Sequence, residues 1–222
     1  MPTPTNSKIN KGFTLTEFLI SIALASLILT VVVSSQSTYT DGVALTNLAD
    51  EISSMVFQAQ AYSTGVKEFS PASSEFSASY GLTFSLLGSG SNKAYLSFAD
   101  RNEVGEDSGN KIYNGDWSCP TGGASECLGK VDISRGNYIE SLCATRKGGP
   151  GTVGPPEICS DVGRIDISFA YSSGEAQILF FNNGGEAFNP AYDINGAKIV
   201  LRSPGGQTRS VIIYATGQVS IQ

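Results

Sequence analysis

The chain has 222 residues, enough for one globular domain plus an appendage. Its net charge of −6 does not favour nucleic acid as a generic partner, because phosphate binding needs a concentrated basic surface. It carries four Cys and no His, so the commonest general base and metal ligand at neutral pH is missing, and no nucleophile–base arrangement stands out.

Residues 1–10, MPTPTNSKIN, hold two prolines and little to bury, and read as a short cytoplasmic leader without a fold of its own. Lys8 and Lys11 agree with the positive-inside tendency, and losing both would take the net charge from −6 to −8. After Gly12 an apolar run extends from Phe13 to Val33. As a helix rising about 1.5 Å per residue it is long enough to cross a hydrocarbon core of about 30 Å. Glu17 interrupts it near its start, and a carboxylate in lipid costs several kcal/mol unless it finds a partner. Cleavage after Gly12 would supply one. The new amine on Phe13 would lie one turn before Glu17 on the same face, within its own helix or offset by about 6 Å on a neighbour, and the couple would then fix register in a helical polymer. A conventional secretory signal would have a shorter apolar core ending at a small-residue cleavage site.

Gly12, Phe13, Thr14, Leu15 and Glu17 stand in register with the motif G|FTLxE, and the segment resembles the class III signal of type IV pilins and type II secretion pseudopilins. The resemblance implies cleavage by a prepilin peptidase between Gly12 and Phe13, N-methylation of Phe13, and a role for Glu17 in assembly. It also implies the partners: other pilin or pseudopilin subunits, an inner-membrane assembly platform, and lipid before assembly. The location it implies is a single-pass inner-membrane anchor, with the C-terminal domain outside the cytoplasm, and later a pilus or pseudopilus.

Ser34–Gly42 is polar and includes a helix-weakening glycine. Helical spacing resumes with Leu45, Leu48, Ile52, Met55, Val56, Ala59 and Tyr62 as one stripe. One long helix is expected over 13–64, loosened around Ser34–Gly42, its first half a membrane or filament core and its second half packed on a sheet. The stretch from Glu68 to Phe76 has loop composition. β-like runs follow. Tyr80–Leu87 and Ala94–Ala99 flank GSGSNK, Val131–Ala144 alternates across Arg135–Gly136, and Arg164–Tyr171 and Ala176–Phe181 flank SSGE. Ala197–Leu201 and Ser210–Tyr214 flank SPGGQT, and Val219–Ile221 adds a last short strand. The fold class is therefore α+β: residues 1–12 a leader, 13–64 a helix, and 65–222 an antiparallel β-sheet domain.

The segments AKIVLRSPGG and SVIIYATGQVSIQ also look like the H-type minor pseudopilins and FimT-like minor pilins. Cys159 is the last cysteine, and Ser34 stands where many major pilins carry a kinking proline, so a minor subunit is favoured over a major one.

Cys119 and Cys127 bracket PTGGASE, and Cys143 and Cys159 bracket a Gly/Pro-rich loop. In an exported chain these spacings favour the pairs 119–127 and 143–159 out of three connectivities, over a zinc site that lacks both CxxC and His. Asp100, Asn102 and Gly105 take positions 1, 3 and 6 of a calcium loop, and Glu106 is a further candidate ligand. Val104 and Lys111 break that pattern, so a solvated acidic loop is the plainer reading, with structural Ca²⁺ as its alternative. FimT-like proteins include DNA-binding minor pilins, which singles out Lys198, Arg202 and Arg209 beside one hairpin. Three charges are too few for tight nonspecific binding at physiological salt. The reading is a structural minor pilin or pseudopilin; a DNA-binding minor pilin and an unprocessed bitopic membrane protein are its alternatives.

Overall fold

The structure is a computed structural model that describes residues 12–65, 78–101, 109–120, 125–147, 157–170, 174–189 and 194–222. One helix, α1 (Leu15–Thr64), includes the polar stretch Ser34–Gly42, where loosening is expected from the sequence. The chain divides into two compact units, Met1–Thr40 and Asp41–Gln222, so α1 contributes to both.

In the first unit every residue from Gly12 to Val33 is exposed, and Leu15–Val33 is long and apolar enough to cross a membrane. Its hydroxyls bond back to their own helix. Ser21 donates to the Glu17 carbonyl at 2.7 Å, Ser26 to Ala23 at 2.9 Å and Thr30 to Ser26 at 2.8 Å.

In the second unit, the helix stripe Leu45, Leu48, Ala49, Ile52, Val56 and Ala59 is buried, with Met55 and Tyr62 packed at its margin. These positions recur every three to four residues, so they fall on one face of a 3.6-residue turn. Among the described residues eleven strands follow: β1 (Ser79–Ser85), β2 (Ala94–Asp100), β3 (Cys127–Asp132), β4 (Tyr138–Arg146), β5 (Glu157–Ile158), β6 (Arg164–Phe169), β7 (Ala176–Phe181), β8 (Ala187–Phe188), β9 (Ile194–Arg202), β10 (Thr208–Tyr214) and β11 (Val219–Ile221). They form two antiparallel sheets rather than one, ordered β3-β2-β1-β6-β7-β8 and β11-β10-β9-β4-β5. One hydrophobic cluster joins the helix stripe to Leu82, Phe84 and Ile167 of the first sheet and to Leu142, Ile199 and Val211 of the second.

The turn at Arg135–Gly136 forms, but it does not make a hairpin. Both residues have positive φ (59° and 74°), and the Asn137 N–H donates to the Ser134 carbonyl at 3.3 Å, as in a type I′ turn. The strands it joins nonetheless part, β3 pairing with β2 and β4 with β9. Ile133 and Ile139, on either side, donate to the Lys93 and Asn92 carbonyls at 2.8 and 2.7 Å, which ties the crossover to the start of β2.

Candidate functional site

The start of α1 is a reciprocal cap. Thr14 precedes the first helical residue, and its Oγ1 accepts the Glu17 N–H at 3.3 Å. Glu17 reaches back: its Oε2 accepts the Thr14 N–H at 3.0 Å and the Thr14 hydroxyl at 2.8 Å. The spacing Thr-x-x-Glu is a capping box, which satisfies two amide donors that the first turn leaves open. These bonds all fall on Oε2, so Oε1 of the exposed Glu17 faces no group of its own chain among the described residues.

Gly12 and Phe13 lie just outside the helix and are exposed, Phe13 at 80%. A Cβ built on Gly12 meets nothing within 4 Å. Among the described residues nothing demands glycine at this position. The arrangement offers an accessible peptide bond, an exposed aromatic residue whose amine that cleavage would free, and a carboxylate one turn along an apolar helix. Residues 7–33 match the family model for the prokaryotic N-terminal methylation motif. The chain carries a prepilin-type signal, the kind found in type IV pilins and pseudopilins. No curated protein and no solved structure matches the chain. Beyond the prepilin-type signal, each remaining candidate therefore rests on its own geometry.

Both cysteine pairs are disulfides, Cys119–Cys127 and Cys143–Cys159. The first lies against a small second core of Leu96, Phe98, Tyr113 and Trp117. Asp100 is fully buried, and its two carboxylate oxygens accept the Gly109 and Lys111 N–H groups at 3.0 and 2.5 Å; the other proposed calcium ligands, Asn102 and Glu106, lie outside the described residues. Among the described residues no group of three acidic or cysteine side chains is placed to hold a metal ion.

The basic residues sit on one hairpin, β9–β10, as expected, but two of them are paired. Lys198 Nζ donates to both carboxylate oxygens of Glu157, at 2.8 and 2.9 Å, and Arg202 donates to Glu140, which raises its already high pKa through that hydrogen bond and charge. Arg209 pairs across from buried Leu201, on the opposite side of the strand register from Lys198 and Arg202. The three cations therefore present no shared basic surface. Both acidic partners are far away in sequence, which hid these pairs from a local reading.

The sequence also concealed a buried polar cluster. Along β6, Ile165, Ile167 and Phe169 alternate with Arg164, Asp166 and Ser168, a pattern that would place the polar set in solvent. Asp166 and Ser168 are in fact fully buried. Arg164 holds Asp166 through two nitrogens, at 2.9 and 2.5 Å, and lies 4.5 Å over the Phe181 ring. Thr83 donates its hydroxyl to the same carboxylate at 2.5 Å. Neighbouring Glu126 is pushed up to about 6, chiefly by burial, opposed by the Asn114 N–H that it accepts, and raised further by Asp100 and Asp166. The i, i+2 spacing of Arg164 and Asp166 was the one available signal, and it is ambiguous without knowing what covers that face.

Proposed function

We propose that this chain is a minor pilin or pseudopilin, a structural subunit that is cut after Gly12, methylated on Phe13, and assembled into or used to prime a pilus-like filament. The observation that carries the reading is the prepilin-type signal joined without a gap to a wholly exposed apolar helix. Before assembly the apolar surface faces lipid and anchors the chain in the inner membrane, with the β-rich unit outside the cytoplasm. In the filament the same surface packs against the helices of other subunits. Glu17 meets a Phe13 amine there, and the Oε1 left open by the capping box is the atom suited to accept it. The β-rich unit, with its two disulfides, faces outward and selects neighbours.

The test uses the full chain in a host that has a prepilin peptidase and the assembly machinery. Mass spectrometry should find a mature chain beginning with N-methylated Phe13. Gly12→Leu should leave a precursor in membranes, and Glu17→Ala should be cleaved yet fail to enter filaments. An intact N-terminus on the native protein would leave a bitopic membrane protein instead. Normal incorporation of Glu17→Ala would remove the charge pairing from the account.

A further inference from the structure

Between β2 and β3 the segment from Gly109 to Pro120 lies against the first sheet, and among the described residues it pairs with no strand. Four of its backbone amides hang instead on buried carboxylates. Gly109 and Lys111 donate to Asp100 at 3.0 and 2.5 Å, Tyr113 to Asp166 at 3.0 Å and Asn114 to Glu126 at 2.7 Å. Asp100 and Asp166 are fully buried and Glu126 nearly so. The Arg164 guanidinium grips Asp166 and the Tyr113 carbonyl, whereas Glu126 receives the Asn114 amide. An ionised Glu126 thus sits out of water beside two other carboxylates, with a backbone dipole for support. A proton would relieve that repulsion without breaking the latch, because a neutral carboxyl keeps a carbonyl oxygen able to accept the Asn114 N–H.

We infer that the segment Gly109–Pro120 is a proton-tightened flap, seated when Glu126 carries a proton and loosened when it does not. Among the described residues, the groups whose charge bears on Glu126 are Asp100 from β2, Asp166 and Arg164 from β6, and Tyr113 from the flap, with Asp116 beside Tyr113. Two of these stay out of the relevant range. Burial and then the Glu126 charge push the Tyr113 phenol up to about 12, and hydrogen bonds from Ser118 hold Asp116 below the usual carboxylate value. Glu126, raised to about 6 from an ordinary 4.5, is left to titrate between mildly acid and neutral conditions.

The flap covers apolar surface. Tyr113 and Trp117 pack on Leu96 and Phe98, and Cys119–Cys127 pins its far end to β3. Phe98 is also a wall of an open groove of about 260 Å³, between Met55 and Tyr62 of α1 and Leu128 of β3. Loosening the flap would therefore bare more of a residue that already lines the groove, and enlarge the apolar surface there. Acid closes that surface and neutrality opens it.

Trp117, the only tryptophan in the chain, reports on the flap directly. The full-length protein in detergent micelles, disulfides intact, should lose Trp117 accessibility to acrylamide as the pH falls, with a midpoint near 6. In Glu126→Gln, Trp117 should stay protected across the range. A flat wild-type profile between pH 4.5 and 8, or the same transition surviving in Glu126→Gln, overturns the inference. Hydrogen exchange of the Tyr113 and Asn114 amides in the unmutated chain is a second test that needs no variant. If the loosened flap restores the ordinary carboxylate value, their protection should rise by up to about thirtyfold on acidification, after correction for intrinsic exchange. Equal protection at both ends of the range would also overturn it.

Discussion

Thr14 and Glu17 close the start of α1 from both sides, each accepting the other's backbone N–H, at 3.3 and 3.0 Å. The carboxylate that lies awkwardly in an apolar run is thus engaged within its own chain, and through one of its two oxygens.

Removing the threonine hydroxyl should therefore loosen the first turn. Thr14→Val is expected to cost about 1 kcal/mol of local stability, the usual worth of such a cap. In micelles the Glu17 amide should exchange about fivefold faster, and Thr14→Ser should restore it. An unchanged exchange rate in Thr14→Val would mean that the cap is not holding this turn.

The turn at Arg135–Gly136 places a bulky residue in the left-handed region, at φ 59°. Asn tolerates that conformation better than Arg. Arg135→Asn should raise the melting temperature by about 1–2 °C, for about 0.5 kcal/mol gained. Gly136→Ala should lower it, because φ is 74° and the added Cβ would lie 2.8 Å from Pro204 Cγ. A calorimetric scan of the three proteins compares them.

Asp166 accepts from Arg164, Thr83 and Tyr113, so Asp166→Ala strands three donors at once. The Arg164 side chain is 21% exposed and the Asp166 side chain not at all, which puts the expected loss at about 3 kcal/mol, toward the low end for a buried pair. Replacing both members, Arg164→Met with Asp166→Leu, should recover part of it. Urea unfolding followed by Trp117 emission measures both.

The two disulfides should separate by readout. Removing Cys143–Cys159, which spans 16 residues, is expected to cost about 3 kcal/mol in the chain-entropy model while leaving Trp117 shielded. Removing Cys119–Cys127 should cost somewhat less in global stability yet expose Trp117, because that bridge lies against the small cluster containing it. Paired Cys→Ser variants, assayed by denaturation and acrylamide quenching, test the contrast.

Glu126 gives stability a definite sign with pH. Its folded-state value of about 6 lies above the ordinary 4.5, so the folded chain binds the proton more tightly than the unfolded one. That contribution is fully present below about 4.5 and lost as the pH rises through about 6. The wild type should therefore gain more in melting temperature between pH 7 and pH 5 than Glu126→Gln does. Asp116, held low, acts in the opposite sense, and only at pH values below this window.

Much of this was legible in the sequence because it is local. Leu45, Leu48, Ile52, Val56 and Ala59 announce a helix face by spacing alone, and GSGSNK and SPGGQT lie between strands that do pair, β1 with β2 and β9 with β10. The prepilin-type signal is likewise a contiguous string. What escaped is non-local. Alternation along β3 and β4 gives each strand two faces but does not say which sheet it joins, and the chain sends these neighbours to different sheets. Asp100 looked like the first ligand of a calcium loop, yet it anchors the backbone of Gly109 and Lys111. The alternation along β6 gives no sign that Asp166 and Ser168 are buried, because the segment that covers them shows no apolar periodicity and docks through its amides.

The hydroxyls of Ser21, Ser26 and Thr30 have a last consequence. Each is bonded to a carbonyl three or four residues back, so none depends on what surrounds the helix. The polar valences of this stretch travel with it. Acyl chains and neighbouring protein are interchangeable company for those side chains, and moving between the two would require no exchange of hydrogen-bonding partners at these three positions.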